Sequence, residues 1–410
     1  MDETKKRKTA KPGWFAFIGL LFAVAVIGVT IGTIQRRRAE EAHTKELFAM
    51  DTYFSLKAYG SDAEKALSLC EERTRELEAL LSVTAQGSDV WRIDHGDHGQ
   101  SSKDRTESGQ TESGQTAAGQ TVSGQAAAGQ TESGQAASGQ AASARTTEIA
   151  ADTYRVMAEA LELGSRTGGA LDITLYPVLK AWGFTAGEYR IPEREELEKL
   201  LSRVDYREVR LQEEAGAYYA IVPEGAEVDL GAVAKGYTGD VLIDILRRQG
   251  VTSAILDLGG NVQTLGRRPD GTLWRVAVRD PFDRSQIAGV LDIEDKCVIT
   301  SGGYERYFTG EDGQIYWHIL DPATGEPARN GLLSVTIVGE HGVRCDAYST
   351  ALFVMGRERA VDFWRQQGDF EMILVCEDGE MVLTEGLRDR FTCADGWEGH
   401  ITYVDRDNAD

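Results

Sequence analysis

A carboxylate and a hydroxyl stand four residues apart in a segment whose apolar pattern predicts a helix. Asp346 and Thr350 lie within residues 344–355 and therefore share one helix face. Carboxylate and hydroxyl oxygens are hard ligands that suit Mg²⁺, which also binds substrate phosphates. The alternative is an aspartate favoured by the dipole of its helix beside an ordinary threonine. The spacing is consistent with both interpretations.

A strand (residues 217–222), a glycine turn and a helix follow one another in the middle of the chain. Gly231 permits a tight turn, and the pattern predicts a helix from Ala232 onward. The free N–H groups and the dipole at the start of such a helix attract anions, and Lys235 adds a full positive charge. Asp229 could bond a ligand or cap the helix. The alternative is an ordinary strand–turn–helix with a surface lysine.

His318 lies in the segment Trp-His-Ile-Leu-Asp-Pro-Ala-Thr-Gly, where a strand runs into an Asp-Pro turn. An imidazole there could act as a general base or donate to a phosphate, or it could be a structural histidine. The glycines Gly259 and Gly260 could let a ligand approach the backbone, or simply form a turn. Trp182 and Phe184 could stack on a flat ring or pack in a core.

The elements that must position these residues mix helices and strands without strict alternation. Helices are predicted at residues 62–81, 147–166, 192–202, 344–355 and 357–367. Strands or hairpins are predicted at residues 48–56, 209–222, 253–258, 274–279, 289–293, 296–300, 315–319, 334–338 and 371–384. This order favours the α+β class over a doubly wound parallel sheet.

Charge and cysteine usage exclude several classes of protein. The 410-residue chain has a formal net charge of −22, which argues against a general nucleic-acid binder. An anionic ligand would then need a bound cation. The five cysteines are widely spaced without a Cys-x-x-Cys pair, which excludes the common zinc patterns and indicates no disulfide framework.

The N-terminal segment is predicted to cross a membrane. Residues 14–34 form a run of 21 residues without a charge, flanked on both sides by Lys and Arg. The run is longer than a usual signal-peptide core, and no small-x-small cleavage site follows it. Residues 1–42 therefore form a basic cytoplasmic tail and an uncleaved signal anchor in this interpretation. The rest of the chain would lie on the extracytoplasmic side of the cell membrane.

Residues 95–146 differ in composition from the rest of the chain. Gly-Gln recurs every five residues between positions 109 and 140, and large apolar residues are almost absent. Such a segment cannot bury enough apolar surface to offset the entropy of ordering. It is predicted to be a disordered insertion that divides one catalytic domain into residues 43–94 and 147–405.

Several segments, taken in chain order, carry a resemblance to one family. They are Met50-Asp-Thr52, Gly169-Ala-Leu-Asp172-Ile-Thr, Val228-Asp229-Leu-Gly-Ala232-Val-Ala-Lys235-Gly-Tyr237, Asp257-Leu-Gly-Gly260-Asn261, Thr300-Ser-Gly-Gly-Tyr-Glu-Arg-Tyr-Phe308, His318-Ile-Leu-Asp321-Pro-Ala-Thr324-Gly325 and Asp346-Ala-Tyr-Ser-Thr350. The ordered set resembles the ApbE-like FAD:protein FMN transferases over residues 47–94 and 147 to about 400. The chain departs from the family pattern in having Asp51 for the usual Gly, Asp94 for the usual Asn, and Gly303 where an acidic residue is common.

The resemblance implies a single α+β domain related to the T-fold, with mixed or antiparallel sheets and flanking helices. It implies an enzyme that uses Mg²⁺ to move FMN from FAD onto a Thr or Ser hydroxyl of a target flavoprotein, as a phosphoester, with release of AMP. The targets implied are extracytoplasmic proteins with an Asp/Ser-x-x-Thr/Ser-Gly-Ala-Thr/Ser acceptor segment.

The resemblance also assigns site residues. The metal would be held by the carbonyl of Ala232 and the side chains of Asp346 and Thr350. The residues implied to contact FAD are Met50, Ala170, Leu171, Asp172, Asp229, Lys235 and Leu320. His318 and Lys235 are the implied catalytic residues, with His318 hypothesised to deprotonate the incoming hydroxyl. Two alternatives remain, a Mg²⁺-dependent FAD hydrolase with the same site and a membrane-tethered flavin-binding protein without turnover.

Overall fold

The computed structural model describes residues 40–96 and 143–407, which fold around a nine-stranded sheet. In spatial order its strands are β1 (Ala42–Ala49), β2 (Thr52–Tyr59), β6 (Ala254–Leu258), β7 (Asn261–Leu265), β10 (Cys297–Gly302), β13 (Leu332–Gly339), β14 (Phe370–Cys376), β15 (Met381–Thr384) and β17 (Ile401–Val404). Neighbouring strands are antiparallel except β15 and β17, which are parallel. The predicted α+β class, with mixed sheets and flanking helices, is confirmed.

Three smaller sheets complete the strand set of the described residues. The first contains β3 (Ala144–Ile149), β4 (Arg210–Glu214) and β5 (Ala217–Pro223), with β5 in the centre. The second contains β8 (Trp274–Arg279), β9 (Ile287–Ile293) and β16 (Phe391–Cys393), with β9 in the centre. The third is a short hairpin of β11 (Tyr307–Thr309) and β12 (Ile315–Trp317).

Helices cover much of the large sheet. They are α1 (Ala63–Leu81), α2 (Asp89–His95), α3 (Ala151–Arg166), α4 (Tyr176–Ala181), α5 (Arg194–Leu201), α6 (Ala234–Arg248), α7 (Gly342–Met355) and α8 (Arg357–Gln367). Nearly every residue of α7 is buried, so this helix lies inside the protein and is apolar on most sides. A buried carboxylate on α7, that of Asp346, therefore needs a specific reason.

The two faces of the large sheet are covered differently. On one face, Val335 and Ile337 of β13 belong to the same apolar cluster as residues of α7 and α8. On the other face, Val298 and Val338 pack with the second small sheet, including Phe391. This alternation follows from the two-residue repeat of a strand that is buried on both sides.

Helices α6 and α7 approach closely because glycines line their contact. A Cβ atom on Gly236 would lie 2.2 Å from the carbonyl oxygen of Gly342, and one on Gly342 would lie 1.9 Å from Nε2 of Gln263. The N–H groups of Gly342 and Val343 donate to the carboxylate of Asp240 at 2.6 and 2.9 Å. This carboxylate on α6 therefore caps the start of α7 and fixes the position of that helix.

Several predicted boundaries were wrong. The predicted helix at residues 147–166 begins at Ala151, because residues 147–149 pair with β5 as part of β3. The helix expected from Ala232 begins at Ala234, because the N–H of Gly236 donates to Asp346. Strands β3, β7, β11, β16 and β17 and helix α4 were not predicted. The single strand predicted at residues 48–56 is also wrong, because the chain turns at Met50 and Asp51 between β1 and β2.

The predicted membrane anchor lies outside the described residues, as does most of the predicted insertion. Within residues 40–96 and 143–407, no helix is long and apolar enough to cross a membrane. Strand β3 begins at Ala144, before the predicted end of the insertion.

Candidate active site

One large cavity collects all of the predicted site residues. It has a volume of about 980 Å³, within the usual range for pockets that hold small molecules and cofactors. The predicted residues that line it are Met50, Ala170, Leu171, Asp172, Asp229, Ala232, Lys235, His318, Leu320, Asp346 and Thr350. These residues come from distant parts of the chain, so the fold brings them to one place.

Three oxygen atoms suited to a metal lie around the start of α6. The N–H of Gly236, which would bond the carbonyl of Ala232 in a regular helix, donates instead to Oδ2 of Asp346 at 2.9 Å. The carbonyl of Ala232 accepts no hydrogen bond within the described residues. Thr350 lies one turn after Asp346, and its Oγ1 is 3.3 Å from Oγ of Ser301.

These donors fit Mg²⁺. A carbonyl without a donor, a buried carboxylate and a hydroxyl are the hard oxygen ligands that this ion prefers. The described residues contain no cluster of three or more His, Cys, Asp or Glu side chains that could hold a metal. An ion at Asp346 would therefore keep open coordination positions for water or for a ligand phosphate.

A carboxylate and an ammonium group lie near each other at the start of α6, and they could attract a cation and an anion respectively. Burial raises the pKa of Asp346, whereas the positive charge of Lys235 and the N–H of Gly236 lower it. Lys235 forms no ion pair or hydrogen bond with any residue in the described part of the chain. An ammonium group beside the start of a helix has the charge that the predicted anion site needs, and that site stays a prediction.

Asp229 organises the turn before α6. Its Oδ1 accepts the N–H of Gly231 at 2.8 Å, and its own N–H donates to the carbonyl of Ile173 at 2.8 Å. Burial raises the pKa of its carboxyl, and the N–H of Gly231 and the charges of Arg306 and Lys235 lower it. One carboxylate oxygen thus shapes the loop, and the residue ties it to the 170–173 segment.

Both carboxylate oxygens of Asp172 accept hydrogen bonds from neighbouring protein groups. Oδ1 accepts the N–H and the hydroxyl of Thr174 at 2.8 and 2.6 Å, and Oδ2 accepts the N–H of Tyr206 at 3.1 Å. Its carboxylate therefore holds the cavity wall in shape. The predicted contact between Asp172 and FAD stays a prediction.

His318 is held as a neutral base. Its Nδ1 lies 3.2 Å from the carbonyl oxygen of Arg306, which can only accept, so Nδ1 carries the proton and Nε2 has a free lone pair. Burial, together with the positive charges of Arg306 and Lys235, lowers the pKa of His318 to about 4. An unprotonated imidazole at neutral pH can take a proton from a hydroxyl.

Three further residues belong to the cavity although they were not singled out from the sequence. Glu78 accepts the N–H of Met50 at 2.7 Å and so fixes the β1–β2 turn. Arg306 faces both Asp229 and His318. The buried side chain of Asn261 lies beside Asp346 and lowers the pKa of that carboxyl. Arg306 and Asn261 lie in segments quoted for the resemblance, but Glu78 had no local signal.

Trp182 and Phe184, which the sequence proposed for ring stacking or core packing, occupy different environments. Phe184 lines the cavity, whereas Trp182 is buried, donates from Nε1 to the carbonyl of Gly325 at 2.7 Å and lies outside the lining. Trp182 is therefore a core residue, as one of the two sequence interpretations had it.

The profile of the ApbE family matches residues 124–374, more than half of the 410-residue chain. The chain belongs to the ApbE family. The FAD:protein FMN transferase of Klebsiella pneumoniae (strain 342) is 36% identical over 227 residues, which cover 55% of this chain and 69% of that protein. The FAD:protein FMN transferase of Treponema pallidum (strain Nichols) is 32% identical over 255 residues, covering 59% of this chain and 70% of the relative.

Solved structures of ApbE proteins agree with the fold. The ApbE protein of Thermotoga maritima superposes with a TM-score of 0.69 at 26% identity, covering 85% of this chain and 99% of the other. The flavin transferase ApbE of Vibrio cholerae superposes with a TM-score of 0.65 at 25% identity over the same shares. The suspected family membership is confirmed by sequence and by structure.

Proposed function

We propose that this ApbE-family chain is an FAD:protein FMN transferase that uses Mg²⁺ and a Thr or Ser hydroxyl of its target protein. The transfer of FMN from FAD to a protein follows from the family and from the names of its relatives. The observation that supports the finer proposal is the shared cavity. It brings the oxygens of Ala232, Asp346 and Thr350 together with Lys235 and the neutral His318.

Each residue would have a separate task. Ala232, Asp346 and Thr350 would hold the ion, which would neutralise charge on the FAD pyrophosphate. Lys235 and the start of α6 would bind the same phosphates and stabilise the charge that develops on them.

In the proposed transfer, one base is enough to account for the proton that moves and for the bonds that form and break. Nε2 of His318 takes the proton of the acceptor hydroxyl, whose oxygen forms a bond to the phosphorus of the FMN half. The bond between the two phosphates breaks, and AMP leaves with the electron pair. Arg306 keeps the imidazole oriented through its carbonyl.

The acceptor and the location are proposals from the sequence. The acceptor segment would be Asp/Ser-x-x-Thr/Ser-Gly-Ala-Thr/Ser in extracytoplasmic flavoproteins, and residues 14–34 would anchor the enzyme in the cell membrane. Protease treatment of intact cells would test the second proposal. Digestion of the catalytic domain supports it, and complete protection contradicts it.

The decisive experiment combines the protein, FAD, Mg²⁺ and a carrier protein with that acceptor segment. Flavin fluorescence of the carrier in a denaturing gel and release of AMP are measured together. We expect labelled, mass-shifted carrier and equimolar AMP, both lost with EDTA or with Asp346→Ala. Asp362→Ala on α8, whose side chain is 67% exposed, is the matched control and should behave as wild type.

His318→Ala separates the proposed base from FAD binding. We expect FAD binding within a factor of about two and transfer slowed by about 100-fold or more. His400→Ala, which removes an exposed histidine, is the control. AMP and free FMN without labelled carrier would favour the hydrolase, and FAD binding without AMP would refute both enzymatic functions.

A further inference from the structure

Three hydroxyl groups form a chain between the two residues of α7 that would hold the metal. Oγ of Ser349 donates to the carbonyl oxygen of Asp346 at 2.8 Å, and Oγ of Ser301 lies 2.8 Å from Oγ of Ser349. Oγ of Ser301 also lies 3.3 Å from Oγ1 of Thr350. Thr350 and Asp346 are therefore connected through two serine side chains as well as through the backbone of their helix.

The direction of every hydrogen bond in this chain is determined, because each hydroxyl has one proton to donate. A carbonyl oxygen can only accept, so the proton of Ser349 points to Asp346. Ser301 must then donate to Ser349, which has no second proton. Thr350 must in turn donate to Ser301, whose proton is also in use. The proton of Thr350 is thereby directed to Ser301, and the lone pairs of its oxygen remain available to a cation.

Strand β10 places Ser301 against α7. Ser301 lies two residues after Ile299, which belongs to the same apolar cluster as α7, and alternate residues of a strand share a face. Ser301 and Thr350 both line the cavity, whereas Ser349 is fully buried and lies outside the lining. The hydroxyl chain thus begins at the cavity wall and ends in the interior of the protein.

The bond between Thr350 and Ser301 is the one that a bound cation would strengthen. Its length of 3.3 Å exceeds the usual distance of about 2.8 Å between two hydroxyl oxygens. A cation on Oγ1 of Thr350 withdraws electron density from the hydroxyl and makes its proton a stronger donor. Oγ1 of Thr350 has no other hydrogen-bond partner in the described ranges 40–96 and 143–407, so Ser301 is the acceptor that the protein provides there.

We propose that Ser301 is a positioning residue for the metal site, which accepts the proton of Thr350 while Ser349 holds Ser301 in place. The inference rests on the proposed function, because it takes Thr350 to be a ligand of Mg²⁺. Since Ser301 donates its own proton to Ser349, it has none left for a ligand phosphate, and its contribution passes through Thr350. Residues that orient metal ligands in this way typically contribute about 10- to 100-fold to metal affinity.

The test is a double-mutant cycle on metal affinity, measured with the full chain, with and without FAD, and in the absence of any acceptor protein. Mn²⁺ serves as the probe, because electron paramagnetic resonance reports the free ion directly. We expect Ser301→Ala to raise the Kd for Mn²⁺ about tenfold or more. The same change should have an effect of less than about twofold when Thr350 is already replaced by valine, because the two side chains act as one unit.

Two further variants complete the design. Ser349→Ala removes the acceptor of Ser301 and should raise the Kd for Mn²⁺ by a smaller factor, about threefold. Ser68→Ala is the matched control, since it removes an exposed helix hydroxyl that donates to the carbonyl of Glu64 on α1, and it should bind Mn²⁺ as wild type does.

The possible results separate this proposal from the proposed function. An unchanged Kd in Ser301→Ala overturns the positioning role while the metal site stands. An equal loss of affinity in the Thr350→Val background also overturns it, because Ser301 would then act independently of Thr350. If urea unfolding shows that Ser301→Ala does not fold, a wild-type Kd in Ser349→Ala overturns the proposal. Wild-type protein that binds no Mn²⁺, or whose affinity survives Asp346→Ala, refutes the metal site itself and the positioning role with it.

Discussion

Replacing Asp94 by asparagine should make the protein more stable at neutral pH and should flatten the pH dependence of its stability. Oδ1 of Asp94 accepts the N–H of Val228 at 2.8 Å, which fixes the residue before Asp229. Oδ2 is buried and has no hydrogen-bond partner in the described part of the chain. Burial raises the pKa of Asp94 to about 8; the N–H of Val228 opposes the shift, and the charge of Glu227 adds to it.

The sign follows from the two titration points. An unfolded aspartate titrates near pH 4, so between about pH 4 and pH 8 the folded state holds a proton that the unfolded chain has released. The free energy of unfolding therefore falls as pH rises, by up to about 1.4 kcal/mol per pH unit from this group. An asparagine keeps the acceptor for Val228 and has no proton to lose. We expect the free energy of unfolding of the variant to exceed that of wild type by about 2 kcal/mol or more at pH 7, and the two to be nearly equal at pH 4.

Urea unfolding at pH 5, 6, 7 and 8, followed by tryptophan fluorescence, measures this difference. Asp395→Asn removes an exposed carboxylate and should leave the curve of stability against pH unchanged. FAD binding should survive the Asp94 change. Parallel curves for wild type and Asp94→Asn, or a variant less stable at pH 8, would refute the reasoning that Asp94 is protonated in the folded state.

Three further predictions concern the cavity. Because the pKa of His318 is about 4, kcat/KM for FAD should show no acidic limb near pH 6.5. A limb there that disappears in His318→Ala would contradict the lowered pKa of His318. Gly236→Ala places a methyl group 2.2 Å from the carbonyl oxygen of Gly342. It should lower the free energy of unfolding by about 2–3 kcal/mol, measured by denaturation, and weaken Mg²⁺ binding, measured by metal titration. Gly399→Ala, with no atom within 4 Å of the new methyl, is its control. Asp51→Gly should raise stability by about 1 kcal/mol, because Asp51 has a φ of 58°; unchanged or lower thermal stability would contradict this.

The side chains of the site could be predicted because each lies in a short segment with a recognisable local form. Asp346 and Thr350 share a helix face at any position of that helix in the fold, and the segment from Asp229 to Lys235 forms a turn before a helix. Order along the chain then identified the family. What the segments could not give is how near these groups would come to one another, since that depends on tertiary contacts.

The missed elements are short or depend on distant partners. Strands β11 and β16 contain three residues each, too few for an alternating pattern to be recognised. Residues 147–149 read as the start of a helix, but their backbone groups pair with β5. Glu78 was missed because its role is to accept the N–H of Met50 from a different element.

The wrong start of α6 and the proposed metal site have one physical cause. In isolation, the N–H of Gly236 would bond the carbonyl of Ala232 and start the helix earlier in the chain. The approach of α7, possible because Gly236 and Gly342 have no side chains, brings the carboxylate of Asp346 to that N–H instead. A charged acceptor makes the stronger hydrogen bond, so the carbonyl of Ala232 is released. The same contact thus shortens the helix and leaves the carbonyl of Ala232 without a donor, and hard oxygen ligands of these two kinds would suit the proposed Mg²⁺.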